Sequence, residues 1–123
     1  MATITKRGLQ PAASGSEVVA VSVDATSSAG TAVHEGPSNT DHFDEVWIWA
    51  TNINTSTETL TIQWGGTTAA LHNFVTTINP NETVLVVPGW VLKGTATELL
   101  VKAFSTTTDK VNLTGYVNRI DQS

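Results

Sequence analysis

Several side chains able to bind a divalent metal ion fall within twelve consecutive positions of the sequence: His34, Glu35, Asp41, His42, Asp44 and Glu45. Imidazole and carboxylate groups together are ligands for transition metals. Their spacing, however, matches neither the loop of an EF-hand nor the histidine spacing of zinc sites. We therefore expect a solvated acidic loop at this position, with a metal site as the alternative.

The sequence contains no arrangement typical of a catalytic site. A serine hydrolase needs its nucleophile next to a histidine that a carboxylate orients, and no Gly-x-Ser-x-Gly elbow is present. Asp44 and Glu45 are adjacent, so on a strand they point to opposite faces and cannot act together in glycoside cleavage. No phosphate-binding loop or dinucleotide fingerprint occurs. We expect a protein that is not an enzyme, with no catalytic residues, no metal and no cofactor.

The tryptophans are the other candidates for a functional surface. Trp47 and Trp49 are two residues apart, so on a strand they share one face, while Trp64 and Trp90 belong to later segments. A row of exposed aromatic rings is a common platform for stacking sugar rings. Tryptophan is also enriched in cores and subunit interfaces, and we favour that interpretation. Trp47, Trp49 and Trp90 are therefore interface or stacking candidates.

Composition narrows the class of partner. The chain has 123 residues, with 6 Lys and Arg against 11 Asp and Glu, and a formal net charge of −5. This balance argues against a protein that grips nucleic-acid phosphates or an anionic membrane. The first residues lack the apolar segment of a secretion signal, and no stretch reaches the roughly 20 apolar residues that span a bilayer. We expect no nucleic acid, membrane or small-molecule substrate among the partners.

Apolar residues recur with a period of two along most of the chain, which is the pattern of β-strands. Predicted strands cover residues 17–23, a short stretch near 31–34, and then 45–52, 59–64, 71–78, 82–87, 90–92, 98–104 and 111–120. The pattern predicts an all-β fold, an antiparallel β-sandwich for which a jelly roll is one fitting arrangement. Its predicted core contains at least two tryptophans together with Val19, Val21, Ile48, Leu60, Ile62, Val84, Val86, Leu100 and Val117.

Residues 1–16 are predicted to be an extended N-terminal arm, separate from the β-sandwich domain of residues 17–123. Besides Met1, the only sizeable apolar side chains of the arm are Ile4 and Leu9. These bury too little surface to offset the backbone entropy of ordering, about 1–2 kcal/mol per residue. We therefore expect the arm to become ordered against a neighbouring molecule, with Ile4, Lys6, Arg7 and Leu9 as the partner-binding residues.

Four segments carry a resemblance to one group of viral proteins. They are a polar hairpin at Trp49–Trp64, an apolar strand that ends in Pro-Gly within Thr83–Gly94, the strand Leu99–Ala103, and a final Gly-Tyr-Val-x-Arg-Ile strand within Val111–Ile120. In this pattern the chain resembles the small β-sandwich proteins that decorate or cement the capsids of tailed bacteriophages. The resemblance covers roughly residues 46–120 and rests on pattern and composition.

The resemblance implies a structural virion protein that binds the outer capsid surface and stabilises contacts between capsomers. The implied partners are the major capsid protein and copies of the chain itself, commonly as a homotrimer. The implied location is the capsid exterior, after synthesis in the host cytoplasm. The alternative is a carbohydrate- or receptor-binding β-sandwich of a phage tail or fibre, with surface tryptophans as stacking platforms.

Overall fold

The computed structural model describes residues 2–11 and 16–122. Threonine and valine, which are abundant in these segments, favour the extended backbone. The described residues form nine β-strands and one single-turn helix, and none of their helices is long and apolar enough to cross a membrane. In chain order the elements are β1 (Thr3–Gly8), β2 (Val21–Ser22), β3 (Thr31–Glu35), β4 (His42–Asn52), β5 (Glu58–Trp64), α1 (Ala69–His72), β6 (Asn73–Ile78), β7 (Thr83–Lys93), β8 (Leu100–Ser105) and β9 (Val111–Asp121).

Two antiparallel sheets pack against each other. The first sheet has the strand order β1-β9-β4-β7, with β2 also paired to β9, and the second has the order β3-β8-β5-β6. At the centre of the first sheet, β4 and β9 pair along their whole lengths, from His42 opposite Asp121 to Asn52 opposite Val111. The prediction of an all-β antiparallel sandwich is confirmed, and its assignment to a jelly roll stays a prediction.

Alternate residues of the strands form the core between the two sheets. On β4, Val46, Ile48 and Ala50 are buried while their neighbours are partly exposed. The predicted core residues that are buried are Val21, Ile48, Leu60, Ile62, Val86 and Val117. Val84, Trp64 and Trp90 are partly buried and pack against this core, so two tryptophans contribute to it as expected.

Two predicted core residues lie elsewhere. Val19 is 90% exposed, because β2 is only two residues long and the strand alternation does not extend back to position 19. Leu100 is only partly buried, because β8 turns Val101 and Ala103 toward the core instead.

Strand β7 is longer than the sequence predicts, because it continues through Pro88 and Gly89. Its pairing with β4 shifts register twice, so that Trp47 lies opposite Pro88 and Trp49 opposite Leu85. Proline lacks an N–H to donate but is tolerated here, since β7 is an edge strand. Gly89 has a φ of 77°, the left-handed conformation that a β-bulge often requires.

The N-terminal segment has a partner within the chain. Strand β1 pairs with β9 over six residues, from Thr3 to Gly8. Leu9 then enters the core with no exposed surface, and its carbonyl accepts a hydrogen bond from the Val18 N–H at 2.8 Å. The expectation that this segment orders only against another molecule is therefore wrong for residues 3–9. Met1 and residues 12–15 of the predicted arm lie outside the described residues.

The physical reason is that the segment is stabilised by contacts beyond its own side chains. The apolar surface of those side chains alone is too small to order it. The ladder to β9 satisfies the backbone of β1 with hydrogen bonds, and Leu9 is covered by residues from the rest of the chain. Pairing with a distant strand thus stabilises a segment that cannot order alone.

We expect Leu9→Ala to lower the free energy of unfolding by about 2–5 kcal/mol, because it removes a fully buried leucine from the core. Ile4→Ala is the control, since Ile4 is 65% exposed on the adjacent strand, and its effect should stay within about 0.5 kcal/mol. Urea denaturation measures both. Equal stabilities of the two variants would show that Leu9 does not belong to the core in solution.

Candidate binding face

The outer face of the first sheet carries two of the tryptophans singled out in the sequence. Because Val46 and Ile48 point into the core, Trp47 and Trp49 must point to the opposite side of β4. Both indoles are partly exposed there. They share a face, as their two-residue spacing predicts.

Tyr116 of β9 completes this surface. It lies opposite Trp47 in the β4–β9 ladder. Its ring centroid is 6.3 Å from that of Trp47 and 6.1 Å from that of Trp49, with ring planes 14° and 29° from parallel. Offset, nearly parallel rings are an arrangement that aromatic pairs prefer. We call Trp47, Trp49 and Tyr116 the aromatic face.

Polar side chains border the aromatic face. The Lys6 Nζ lies 4.7 Å from the centroid of the Tyr116 ring, in cation–π contact. The Trp47 Nε1–H donates to Glu45 Oε1 at 2.9 Å, and the Asn118 Nδ2 donates to the same oxygen at 3.1 Å. These two hydrogen bonds, chiefly the one from Trp47, lower the pKa of Glu45 and keep a carboxylate beside the indole.

Gly89 fixes the position of the Trp47 indole. A Cβ atom at position 89 would lie only 2.8 Å from Cζ2 of Trp47, closer than carbon atoms can approach. The bulge in β7 therefore provides a side-chain-free surface against which the indole packs. The same glycine accounts for the continuation of β7 and for the orientation of one ring of the aromatic face.

Aliphatic side chains extend the aromatic face toward both edges of the sheet. Leu85 of β7 lies opposite Trp49 and is exposed, and Val91 lies opposite Glu45 and is exposed as well. On the other side, Ile4 precedes Lys6 by two residues on β1 and is also exposed. Exposed apolar groups arranged in one patch are typical of surfaces that bind a partner.

The remaining sequence candidates lie away from the aromatic face. Arg7 alternates with Lys6 on β1, and its Nη2 donates to Gln10 Oε1 at 3.4 Å. Leu9 is in the core, so it is not available to a partner. Trp90 packs edge-on against Trp64, with ring centroids 5.3 Å apart, at the border of the core. Ile4, Lys6, Trp47 and Trp49 are thus brought to one face, whereas Arg7, Leu9 and Trp90 are not.

Tyr116 is the residue of this face that the sequence argument missed, although the signal was present. The alternation of the last strand places Gly115 and Val117 on its inner side, so Tyr116 must point outward. The local pattern does not show that β9 pairs with β4. That long-range pairing is what places the phenol between the two indoles.

The six candidate metal ligands of the sequence, for which a metal site is the alternative to a solvated loop, do not come together in the described part of the chain. The Nε2 of His34 lies 2.7 Å from Oδ2 of Asp44, with both side chains buried, and His42 lies beside Asp121 at 3.4 Å. Within residues 2–11 and 16–122, no group of three or more His, Asp or Glu side chains is arranged to hold a metal ion. The expectation of a solvated loop is also wrong for His34 and Asp44, because they belong to β3 and β4.

His34 and Asp44 form a buried polar network with Arg119 that links the two sheets. Arg119 donates from Nε and Nη2 to the two carboxylate oxygens of Asp44, each at 2.8 Å. The Gln10 N–H donates to Nδ1 of His34 at 3.1 Å, so Nε2 carries the proton that is donated to Asp44. With both ring nitrogens engaged and 1% of its surface exposed, His34 holds the sheets together and is inaccessible to a substrate.

These contacts determine the direction in which the pKa of the Asp44 carboxyl group is shifted. Burial alone raises the pKa of a carboxyl group because it removes water from the charged form. The hydrogen bonds from Arg119 and His34, together with the positive charge of Arg119, outweigh burial and lower the pKa of Asp44 below its ordinary value. The network is therefore built around a carboxylate that stays ionised.

A polar cavity of about 140 Å³ opens beside this network. Its charged lining comprises Arg7, Glu35, Glu98 and Arg119, and its other lining residues are Gln10, Gly36 and Ser38. Burial raises the pKa of Glu35, and the nearby charge of Glu98 raises it further. Sites for small organic ligands are mostly apolar with a few polar groups. The aromatic face is therefore the stronger candidate for a binding surface.

The sequence matches no protein-family model and no curated protein.

We expect Asp44→Asn to lower the free energy of unfolding at neutral pH by about 3 kcal/mol, because it leaves Arg119 without its buried partner. Wild-type stability should also depend on pH through Asp44. Above the unfolded-state pKa of about 3.9 the carboxylate contributes fully, and the contribution is lost as the pH falls through the lower folded-state pKa.

Urea denaturation across acidic and neutral pH measures both effects. The variant should lose less stability than wild type on acidification. Some pH dependence should remain, because hydrogen bonds from Asn54 and Thr107 also lower the pKa of Glu58 in spite of its burial. Identical pH profiles for wild type and variant would contradict the assignment of Asp44.

Proposed function

We propose that this chain is a structural protein of a tailed-bacteriophage virion that binds the outer capsid surface as a decoration or cement protein. The observation that carries the proposal is the aromatic face, with two indoles and a phenol held nearly parallel on the outside of a hydrogen-bonded sheet. A protein surface that covers these rings removes apolar area from water, which is the main driving force for association.

The chemistry of the face fits a protein partner. Tryptophan and tyrosine are the residue types that most often dominate binding energy at protein interfaces. Charged groups are sparse, with Lys6 and Glu45 at the border of the rings. Ile4 and Lys6 of the N-terminal strand contribute to this surface, whereas Arg7 and Leu9 serve the fold. A capsid offers many equivalent sites, so modest affinity per copy suffices for occupancy when copies are linked.

A second candidate function is binding of a carbohydrate on the same face. The specific observation that favours it is the near-parallel arrangement of Trp47, Trp49 and Tyr116, because a sugar ring stacks its apolar face on such rings. Glu45 and Asn118 lie at the border, where they can bond sugar hydroxyls. In this case the chain acts as a receptor-binding module of a phage tail or fibre.

Quantitative mass spectrometry of purified particles tests the proposal directly. The phage that encodes this chain should carry it in a fixed ratio to the major capsid protein, because decoration follows the lattice. Absence from purified particles would contradict the proposal. Presence at a few copies per particle would favour the tail or fibre assignment.

We expect Trp49→Ala to weaken binding to undecorated capsids of that phage by roughly 30-fold, the effect of losing about 2 kcal/mol at an interface tryptophan. Phe104→Ala is the matched control, since Phe104 lies on the outer face of the second sheet. Co-sedimentation with capsids measures both. Equal loss in the two variants would contradict the role of the aromatic face, and glycan-array binding that Trp49→Ala abolishes would favour the carbohydrate function.

A further inference from the structure

Five strands have a free edge in the described part of the chain. Strand β2 is only two residues long, and three of the others carry features that hinder pairing with another chain. An exposed edge offers unpaired N–H and C=O groups, which natural proteins protect with charge, proline or bulges. Strand β1 carries Lys6 and Arg7. Strand β7 contains Pro88 and two register shifts. Strand β3 contains a register shift and ends at Glu35, whose N–H is bonded to Gln10.

Strand β6 has none of these protective features. Its sequence, Asn73–Ile78, contains no ionisable residue and no proline. It pairs through six consecutive residues with β5 and with no other described strand, and the register does not shift. Phenylalanine, valine, threonine and isoleucine make up most of it and favour strands. It therefore presents a regular, uncharged and unpaired edge.

Apolar side chains are exposed along this edge. Leu71 of the preceding helix is 70% exposed, Phe74 is 45% exposed and Val75 is 62% exposed. The Phe74 ring packs against Trp90 with centroids 5.0 Å apart, and Trp90 packs in turn against Trp64. The edge is thus held in place by an aromatic cluster that borders the core.

We infer that two copies of this chain associate by antiparallel pairing of their β6 strands about a twofold axis. A second copy can occupy this edge without electrostatic repulsion, because β6 has no ionisable residue and no like charges face each other in any register. The other edges of a neighbouring copy are obstructed, so β6 of one copy finds its regular partner in β6 of the other. The pairing joins two four-stranded sheets into one eight-stranded sheet.

The symmetry has a consequence for binding. A twofold axis that relates antiparallel neighbours in one sheet runs perpendicular to that sheet, so both copies turn the same side of the sandwich in the same direction. The two aromatic faces then point the same way, which allows the dimer to bind one surface through both. This consequence rests on the proposed capsid function, whereas the dimer itself does not. The assembly is also a pair, in place of the homotrimer expected from the sequence resemblance.

The dimer should be weak in solution. A standard stable interface buries about 800 Å² on each partner. One six-residue edge and three partly exposed apolar side chains provide less than that. We therefore expect dissociation in the micromolar range, with the dimer favoured where copies are concentrated.

Sedimentation equilibrium of the full chain over micromolar concentrations tests the inference. Wild type should show a monomer–dimer equilibrium. Val75→Lys should be monomeric over the same range, because it places like charges near the twofold axis. Val19→Lys is the matched control, since it introduces the same charge at an exposed valine outside the second sheet, and it should dimerise like wild type. A monomeric or trimeric wild type, or a dimeric Val75→Lys, would overturn the inference.

Cross-linking locates the contact independently of how Val75→Lys folds. The chain has no cysteine, so a single one can be placed at will. With a short bismaleimide, Val75→Cys should give a covalent dimer efficiently and Val19→Cys should not. Equal cross-linking of the two would overturn pairing through β6.

Capsid binding separates a second copy from a capsid segment as the partner of β6. If wild type is monomeric in solution and Val75→Lys loses capsid binding, β6 pairs with a capsid segment, and the proposal of a dimer is wrong. Trp49→Ala should bind capsids more weakly but still dimerise, so that failure of the capsid proposal and failure of the dimer proposal can be told apart.

Discussion

The alternation of side chains along β4 is the constraint on which the rest of the structure depends. This strand is bonded to β9 on one side and β7 on the other. Its inward residues Val46 and Ile48 close the core, and its outward residues Trp47 and Trp49 form the aromatic face. A shift of one residue in its pairing would exchange the two sets. Core packing therefore fixes which rings lie on the outer surface of the sheet.

The polar network at the start of β4 reinforces that register. Asp44 lies opposite Arg119 in the β4–β9 ladder, and His34 approaches it from the second sheet. Burying charges is costly, so such a pair adds little net stability compared with apolar packing. A slipped ladder, however, would leave the buried carboxylate without its partners. We attribute to this network the specificity of the pairing between β4 and β9.

Strand alternation could be predicted from the sequence, but strand partners could not. A period of two correctly places Ile48, Leu60 and Ile62 in the core, because burial on one side of a strand leaves a local pattern. The segment Thr3–Gly8 is ordered because it pairs with β9, which is more than a hundred residues away in the sequence. Such a distant pairing leaves no pattern in the local sequence. The same holds for Tyr116, which becomes part of the aromatic face only through the β4–β9 ladder.

Hydroxyl-radical footprinting of the chain, free and bound to capsids, tests most directly whether the aromatic face is the binding surface. The method reports the solvent accessibility of individual aromatic side chains without changing the sequence. We expect Trp47, Trp49 and Tyr116 to lose labelling on binding, while Phe104 on the opposite sheet keeps it. Unchanged labelling of the two tryptophans on bound capsids would contradict the role assigned to this face.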